Sequence, residues 1–163
     1  MAINFGSYPI IYTPELVAAG YSAGDILFTP DKVYNFNKLG QFPAKVQAIG
    51  IFWDVGDAPE IDLFLFNDNP ESWGTAGNAP APNLADRAKL VGEWSVDGAS
   101  DQGYGTMLGD DGNNKNYALV SGGLLCVLNS NDQEGYLTAT TRTAYSDDLT
   151  DKLTLTFILE FNR

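Results

Sequence analysis

The chain has 163 residues, which points to one domain, and hydrophobic residues make up 44% of it against 18% charged residues. This composition can bury a core, so wholesale disorder is excluded. The 21 acidic and 9 basic residues give a net charge of -12, and such a surface repels phosphate backbones and anionic lipid. We therefore expect neither a nucleic-acid nor a membrane partner. The absence of histidine excludes Ser-His-Asp and Cys-His catalysis and the common zinc sites.

The first 44 residues are broken up by proline and glycine, and two interpretations stay open for them. They form either an extended N-terminal arm that lies on a partner or edge strands of the protein's own sandwich. Residues 1–8 contain no basic segment, so we expect no secretion signal there. Residues 14–20 could form a helical turn, and residues 26–36 a strand that Pro30 splits or places at a sheet edge. The aromatic residues suggest interface candidates, namely Phe5, Tyr8, Tyr12 and Tyr21.

Residues 45–163 are predicted to form the sandwich domain. Strands are expected over 45–54 and 60–67, joined by a hairpin-type turn at 55–59. Both faces of the second strand are largely apolar near Phe64 and Phe66, which predicts a sheet covered on both sides. A short helix is expected over 83–90, with Asn83 as N-cap and Asp86 in the first turn. Further strands are expected over 89–96 and 117–128, and Cys126 in the second of these is predicted to be an inert core residue.

The C-terminal part alternates apolar and polar residues with the period of a strand. Between Leu153 and Phe161 every second residue is apolar, which indicates one buried face. Residues 136–145 are rich in threonine and tyrosine and predict a partly solvated strand. No apolar run approaches the roughly 18–20 residues of a membrane span. The sequence thus predicts an all-β fold: a single antiparallel, jelly-roll-like β-sandwich with one short helix.

Acidic and amide-rich clusters at strand ends could hold a hard cation. The calcium candidates are Asp68, within Asn-Asp-Asn, and Asp110 and Asp111, before a glycine. None of the clusters matches an EF-hand, and turns use the same residue types, so ordinary turn chemistry is the alternative. We expect no other cofactor.

Two further constellations were weighed for catalysis or sugar binding. Glu60 and Glu93 are the right residue types for a glycosidase pair, but solvated strand positions explain both. Trp53 and Trp94 lie in apolar strands and are predicted to pack in the core. Trp73 lies in a loop and is predicted to be exposed, as an interface residue or, less in keeping with a single tryptophan, a sugar platform. No nucleophile–base pair or phosphate loop is present, so we expect no enzymatic activity.

The order of several segments resembles a known family. These segments are VQAIGIFWD at 46–54, EIDLFLFNDNP at 60–70, Ala85-Asp86 with KLVG at 89–92, LLCVL at 124–128 and DLTDKLTL at 148–155. Together they are similar to small β-sandwich virion proteins of tailed phages and related prophages, of the capsid decoration (cement) or accessory type. The resemblance spans residues 45–160, and the chain departs from it before residue 44 and over 97–116.

The resemblance implies a non-enzymatic capsid decoration protein. It would bind the major capsid protein on the outside of the shell as a homo-oligomer, with a trimer favoured by the local three-fold positions of icosahedral shells. The protein would be made in the host cytoplasm and located in the virion. A carbohydrate-binding β-sandwich module and a tail or head-fibre accessory protein are the alternatives.

Overall fold

A computed structural model describes residues 6–16, 20–35, 44–54, 58–96, 105–108, 114–121, 125–126, 134–146 and 152–161. Strands dominate these residues, and they form two larger antiparallel sheets and one small two-stranded sheet. The predicted all-β sandwich with one short helix is therefore confirmed. None of the helices in the described ranges is long and apolar enough to cross a membrane.

The larger sheet has the strand order β1-β12-β4-β8-β7, and β9 also pairs with β4. Its strands are β1 (Gly6–Tyr12), β4 (Ala44–Trp53), β7 (Gly105–Leu108), β8 (Asn114–Ser121), β9 (Leu125–Cys126) and β12 (Leu153–Phe161). Alternation in β12 is as the sequence predicts, because Leu153, Leu155, Phe157 and Leu159 are all buried. The single strand expected over 117–128 is instead β8 followed by β9. Cys126 lies in β9, and its side chain is outside the described part of the structure.

The smaller sheet has the order β3-β10-β5-β6. Its strands are β3 (Ile26–Asn35), β5 (Ile61–Phe66), β6 (Leu90–Val96) and β10 (Glu134–Thr141). Two predictions need correction here. β4 and β5 lie in different sheets and do not form the expected hairpin, and residues 55–57 of the expected turn lie outside the described ranges. β10 is central and not partly solvated, because Thr138, Thr140 and Thr141 are buried. The Thr138 hydroxyl donates to the Phe28 carbonyl at 2.5 Å, which satisfies a polar group that would otherwise be costly to bury.

Both sheets contribute to one core. Ile49, Ile51 and Trp53 from β4 pack in the same cluster as Leu63 from β5 and Trp94 from β6. The core location predicted for Trp53 and Trp94 is therefore confirmed. Gly92 makes room for Trp94, because a Cβ at Gly92 would lie 2.8 Å from the indole ζ3 carbon. Burial of such apolar surface is the main term that stabilises a domain of this size.

The segment before residue 44 contributes strands to both sheets. β1 pairs with β12 and β3 pairs with β10, each at an edge of its sheet as described. Pro9 and Pro30 lie in these two strands, where the missing N–H does not interrupt a central ladder. A third short strand, β2 (Gly20–Tyr21), pairs with β11 (Tyr145–Ser146). Residues 14–16 of the expected helical turn are not helical, and residues 17–19 lie outside the described ranges.

Candidate functional site

A loop covers part of the outer face of the four-stranded sheet. Trp73 is 6% exposed, and its ring lies 4.8 Å from the Phe66 ring and 5.2 Å from the Phe64 ring, centroid to centroid. Ile26 completes this second apolar cluster. The prediction that Trp73 is exposed is thus wrong, because the loop folds back on the sheet. The prediction of a sheet covered on both sides near Phe64 and Phe66 is confirmed.

The helix α1 (Leu84–Lys89) anchors the far end of that loop. Asn83 is its N-cap as predicted, and its side-chain oxygen accepts the Asp86 N–H at 2.8 Å. The Asp86 carboxylate, which is buried, accepts the N–H groups of Asn83 at 3.4 Å and Ser72 at 3.1 Å. The capping box thereby also holds the residue next to Trp73. Hydrogen bonds between residues close in sequence therefore hold the loop on this face, in addition to its apolar packing.

Two backbone hydrogen bonds and one glycine bring the loop against β3. The Ile26 N–H donates to the Asn78 carbonyl at 2.8 Å, and the Gly77 N–H donates to the Ile26 carbonyl at 2.8 Å. Gly74 has a φ of 126°, and a Cβ there would lie 2.7 Å from the Ile26 Cδ1 atom. Only glycine fits both the backbone conformation and the close approach.

The calcium candidates receive no support from the described residues. Asp68 accepts the N–H of Asn69 at 2.8 Å, and the Lys89 ammonium lies 3.7 Å from its carboxylate. The same ammonium donates to the Asn69 carbonyl at 2.5 Å, so Lys89 already brings a positive charge to this loop. Asp110 and Asp111 lie outside the described ranges. Within those ranges no three acidic or cysteine side chains are grouped as metal ligands.

Of the proposed interface aromatics, Tyr21 is buried and Tyr12 is half-buried. Tyr21 is 2% exposed and stacks on Tyr145 with the ring centroids 6.1 Å apart, so its prediction as an interface residue is wrong. Tyr12 is half-buried and bridges the two sheets by donating to the Asp31 carboxylate at 2.9 Å. Burial, and then the hydrogen bond and charge of Asp31, raise the pKa of Tyr12 above its ordinary value.

The other two aromatics are not described as side chains. Phe5 lies outside the described ranges, and Tyr8 lies in β1 with a side chain of which the structure gives no description. Their role as interface candidates stays a prediction.

The outer face of the six-stranded sheet is open to solvent and apolar. Strand pairing aligns Ile11 with Thr156, Thr156 with Gly50, and Gly50 with Leu119, which makes one row across β1, β12, β4 and β8. Ile11 is 71% exposed and Leu119 is 69% exposed, although both are large hydrophobic residues. We call this surface the exposed face, and its described side chains are those of Pro9, Ile158, Ala48, Ile11, Thr156, Gly50, Leu119, Thr154, Phe52 and Tyr117.

No aspartate, glutamate, lysine or arginine occurs among these ten described positions, although the chain carries a net charge of -12. Neighbouring exposed residues include an aromatic pair, because Phe52 lies opposite Tyr117 in the ladder. A charge-depleted core with aromatic residues is the composition that distinguishes the centre of protein interfaces from other surface. The exposed face is thus the strongest candidate for a binding surface. Sequence reasoning missed it because β4 is apolar at both alternating positions.

Of the two glutamates considered for catalysis, Glu60 precedes β5 and Glu93 lies in β6, and the expectation that neither is catalytic stays a prediction. Glu93 lies opposite Phe64 in the ladder between β5 and β6, and Glu60 lies four residues before Phe64.

Comparison with known proteins gives no family. No family model matches the chain, and no curated protein matches it. Among solved structures, the decameric BFDV capsid protein aligns at 9% identity and a TM-score of 0.32, covering 98% of this chain and 100% of that chain. A Nora virus structure aligns at 8% identity and a TM-score of 0.27, covering 97% of this chain and 57% of that chain. Likenesses at this level transfer neither a detailed fold nor a function.

Proposed function

We propose that the protein is a non-enzymatic virion structural protein, a capsid decoration or cement protein that binds the outside of the shell. Its partners would be the major capsid protein and further copies of itself, with a trimer favoured. The observation that carries the proposal is the exposed face, with Ile11 and Leu119 held in solvent on a regular sheet. Such a surface suits protein–protein contact, as the resemblance to phage virion proteins also implies.

The free energy of burying apolar side chains favours contact of the exposed face with a partner over its exposure to solvent. Fully burying a leucine or isoleucine side chain stabilises by roughly 1.5–3 kcal/mol, and here that free energy is largely unrealised within the chain. A binding partner would recover part of it. The face is also free of described charges that would have to be desolvated, which is the usual cost of burying surface.

Purified virions provide the test of this role. Mass spectrometry should detect the chain in the particles, and a density map should place it on the outer capsid surface. Absence from the particle would end the proposal. Location in the tail would replace it with the tail or head-fibre accessory role.

The non-enzymatic part of the proposal is tested separately. The protein is expected to release no sugar from polysaccharides or peptidoglycan. Hydrolysis that Glu60→Gln or Glu93→Gln abolishes would contradict it.

A carbohydrate-binding module is the second candidate function, because Phe52 and Tyr117 form an outward-facing aromatic pair. Trp73, the earlier basis for this alternative, is buried and cannot stack on a sugar. A glycan array distinguishes the two functions. Binding that Tyr117→Ala abolishes would favour the sugar-binding module, whereas a blank array favours the virion role.

A further inference from the structure

We infer that the exposed face is the surface through which two copies of this chain contact each other. This inference deepens the proposed function, because it names the residues through which the protein would self-associate. It rests on the proposed function only for the expectation of a homo-oligomer. The other surface of the sandwich cannot serve in the same way, because the loop that carries Trp73 already covers part of it.

The distribution of charge on the two sheets favours a contact between exposed faces. With a net charge of -12, two copies repel each other, and juxtaposed like charges cost several kcal/mol. The four-stranded sheet carries Asp62 and Glu93 at positions that alternate with core residues, so its outer side would oppose self-contact. The exposed face presents no charged side chain at its described positions. At those ten positions, two copies can meet without bringing carboxylates together.

The shape of the exposed face also suits a contact between two copies. The row from Ile11 to Leu119 has bulky residues at its ends, while Thr156 and Gly50 between them are small. A Cβ at Gly50 would make only ordinary contacts, the nearest at 3.7 Å, so the floor of this shallow groove has room for a small group. Sheets pack face to face about 10 Å apart when their side chains interdigitate. In an offset packing, Leu119 of one copy fits above Gly50 of the other.

The area of the exposed face sets the expected strength of the contact between two copies. Four strands about 4.8 Å apart, each with three outward positions about 7 Å apart, give a patch of about 400 Å². A standard interface buries about 800 Å² per partner, so this contact alone is weak and reversible. It would be populated at high protein concentration, or where other contacts hold copies side by side on a particle.

Sedimentation velocity on the full chain tests the inference. The weight-average sedimentation coefficient should rise with protein concentration. The rise should be larger at 0.15 M salt than at 0.01 M, where the screening length of about 30 Å leaves the repulsion between copies in place. A chain that sediments as a monomer at every concentration and at both salt levels would overturn the inference.

A matched pair of variants locates the contact. Leu119→Glu should weaken self-association at least tenfold, because it places a carboxylate in the contact. Leu84→Glu makes the same change at a residue of α1 that is 84% exposed and off the face, and it should leave self-association unchanged. Equal effects of the two variants would show a general charge effect and would contradict the inference.

Two more variants exclude other causes. Leu119→Lys makes the net charge less negative, yet it should also weaken association because lysine must be desolvated in the contact. Ile11→Glu, at the other end of the row, should give the same loss. Thermal melts of all variants confirm folding. A protein that is monomeric yet present in purified virions would overturn this inference and leave the proposed virion role intact. A protein that dimerises through the exposed face yet is absent from virions would overturn the virion role and leave this inference intact.

Discussion

The two outer faces of the sandwich are treated differently by the chain. On the four-stranded sheet, apolar side chains at Phe64 and Phe66 are covered by the loop that carries Trp73. On the six-stranded sheet, Ile11 and Leu119 lie in solvent. The chain thus covers one apolar surface with its own residues, whereas its described residues leave another exposed, as the proposed partner contact requires.

The closed face shows what intramolecular closure requires. The loop depends on a capping box, a glycine with positive φ and a buried carboxylate. It also buries one polar group that has no hydrogen-bond partner in the described part of the chain. The Trp73 Nε1 atom is buried and has no hydrogen-bond partner among the described residues. An unpaired buried donor costs about 1–3 kcal/mol, which the packing of the indole must offset. No comparable arrangement of described residues lies over the exposed face.

The largest expected effect is loss of the residue that closes the loop. Trp73→Ala should lower the free energy of unfolding by about 3–5 kcal/mol, because it removes a buried indole between two phenylalanine rings. Trp73→Phe should lose no more than about half as much, since it keeps a ring and removes the unpaired N–H. Urea denaturation measures both. A Trp73→Ala variant as stable as the parent would mean that the loop does not cover the sheet.

The helix cap should matter next. Asp86→Ala removes the buried carboxylate that accepts the N–H groups of Ser72 and Asn83, and hydrogen bonds to a charged group are among the stronger ones, so we expect a loss of about 1–3 kcal/mol. Asp86→Asn keeps one side-chain oxygen and should fall between the parent and the alanine variant. Identical denaturation curves for all three proteins would rule out this role of Asp86.

Two glycines provide a matched comparison across the faces. Gly74→Ala should destabilise by about 1–3 kcal/mol, because its Cβ would clash with Ile26 and its backbone conformation disfavours a side chain. Gly50→Ala on the exposed face meets ordinary contacts and should be neutral or stabilise by up to about 1 kcal/mol. The comparison fails if the two substitutions change the midpoint of urea unfolding alike.

The smallest effect on stability is expected at the exposed face itself. Leu119→Gln should change the free energy of unfolding of the monomer by no more than about 0.5 kcal/mol, as is usual for an exposed position. The measurement belongs at a protein concentration where the chain is monomeric. A loss of several kcal/mol would show that Leu119 packs within its own chain.

Local signals in the sequence predicted much of this fold. Alternation in β12 predicted its buried face, and the pattern around Asn83 and Asp86 predicted the cap, because both depend on neighbours along the chain. Apolar residues at both Phe64 and Phe66 correctly predicted a covered sheet. What covers it could not be predicted, because the position of Trp73 depends on its packing with Ile26, which is distant in sequence.

The remaining errors have the same physical origin. The turn-like residues between β4 and β5 suit a hairpin and a connection between sheets equally well, and strand pairing decides between them. The exposure of Leu119 depends on which of two apolar sides of a strand faces the other sheet. Alternation gives no answer where both sides are apolar, so the candidate site emerged from the structure alone.

Hydroxyl-radical footprinting of the free protein and of purified virions tests the central claim most directly. In the free monomer, Leu119 and Ile11 should be labelled and Trp73 protected. In the particle, Leu119 and Ile11 should become protected while Trp73 stays as it was. Labelling of Leu119 and Ile11 that is unchanged in the particle, or strong labelling of Trp73 in the free protein, would contradict the distinction between a closed face and a face used for assembly.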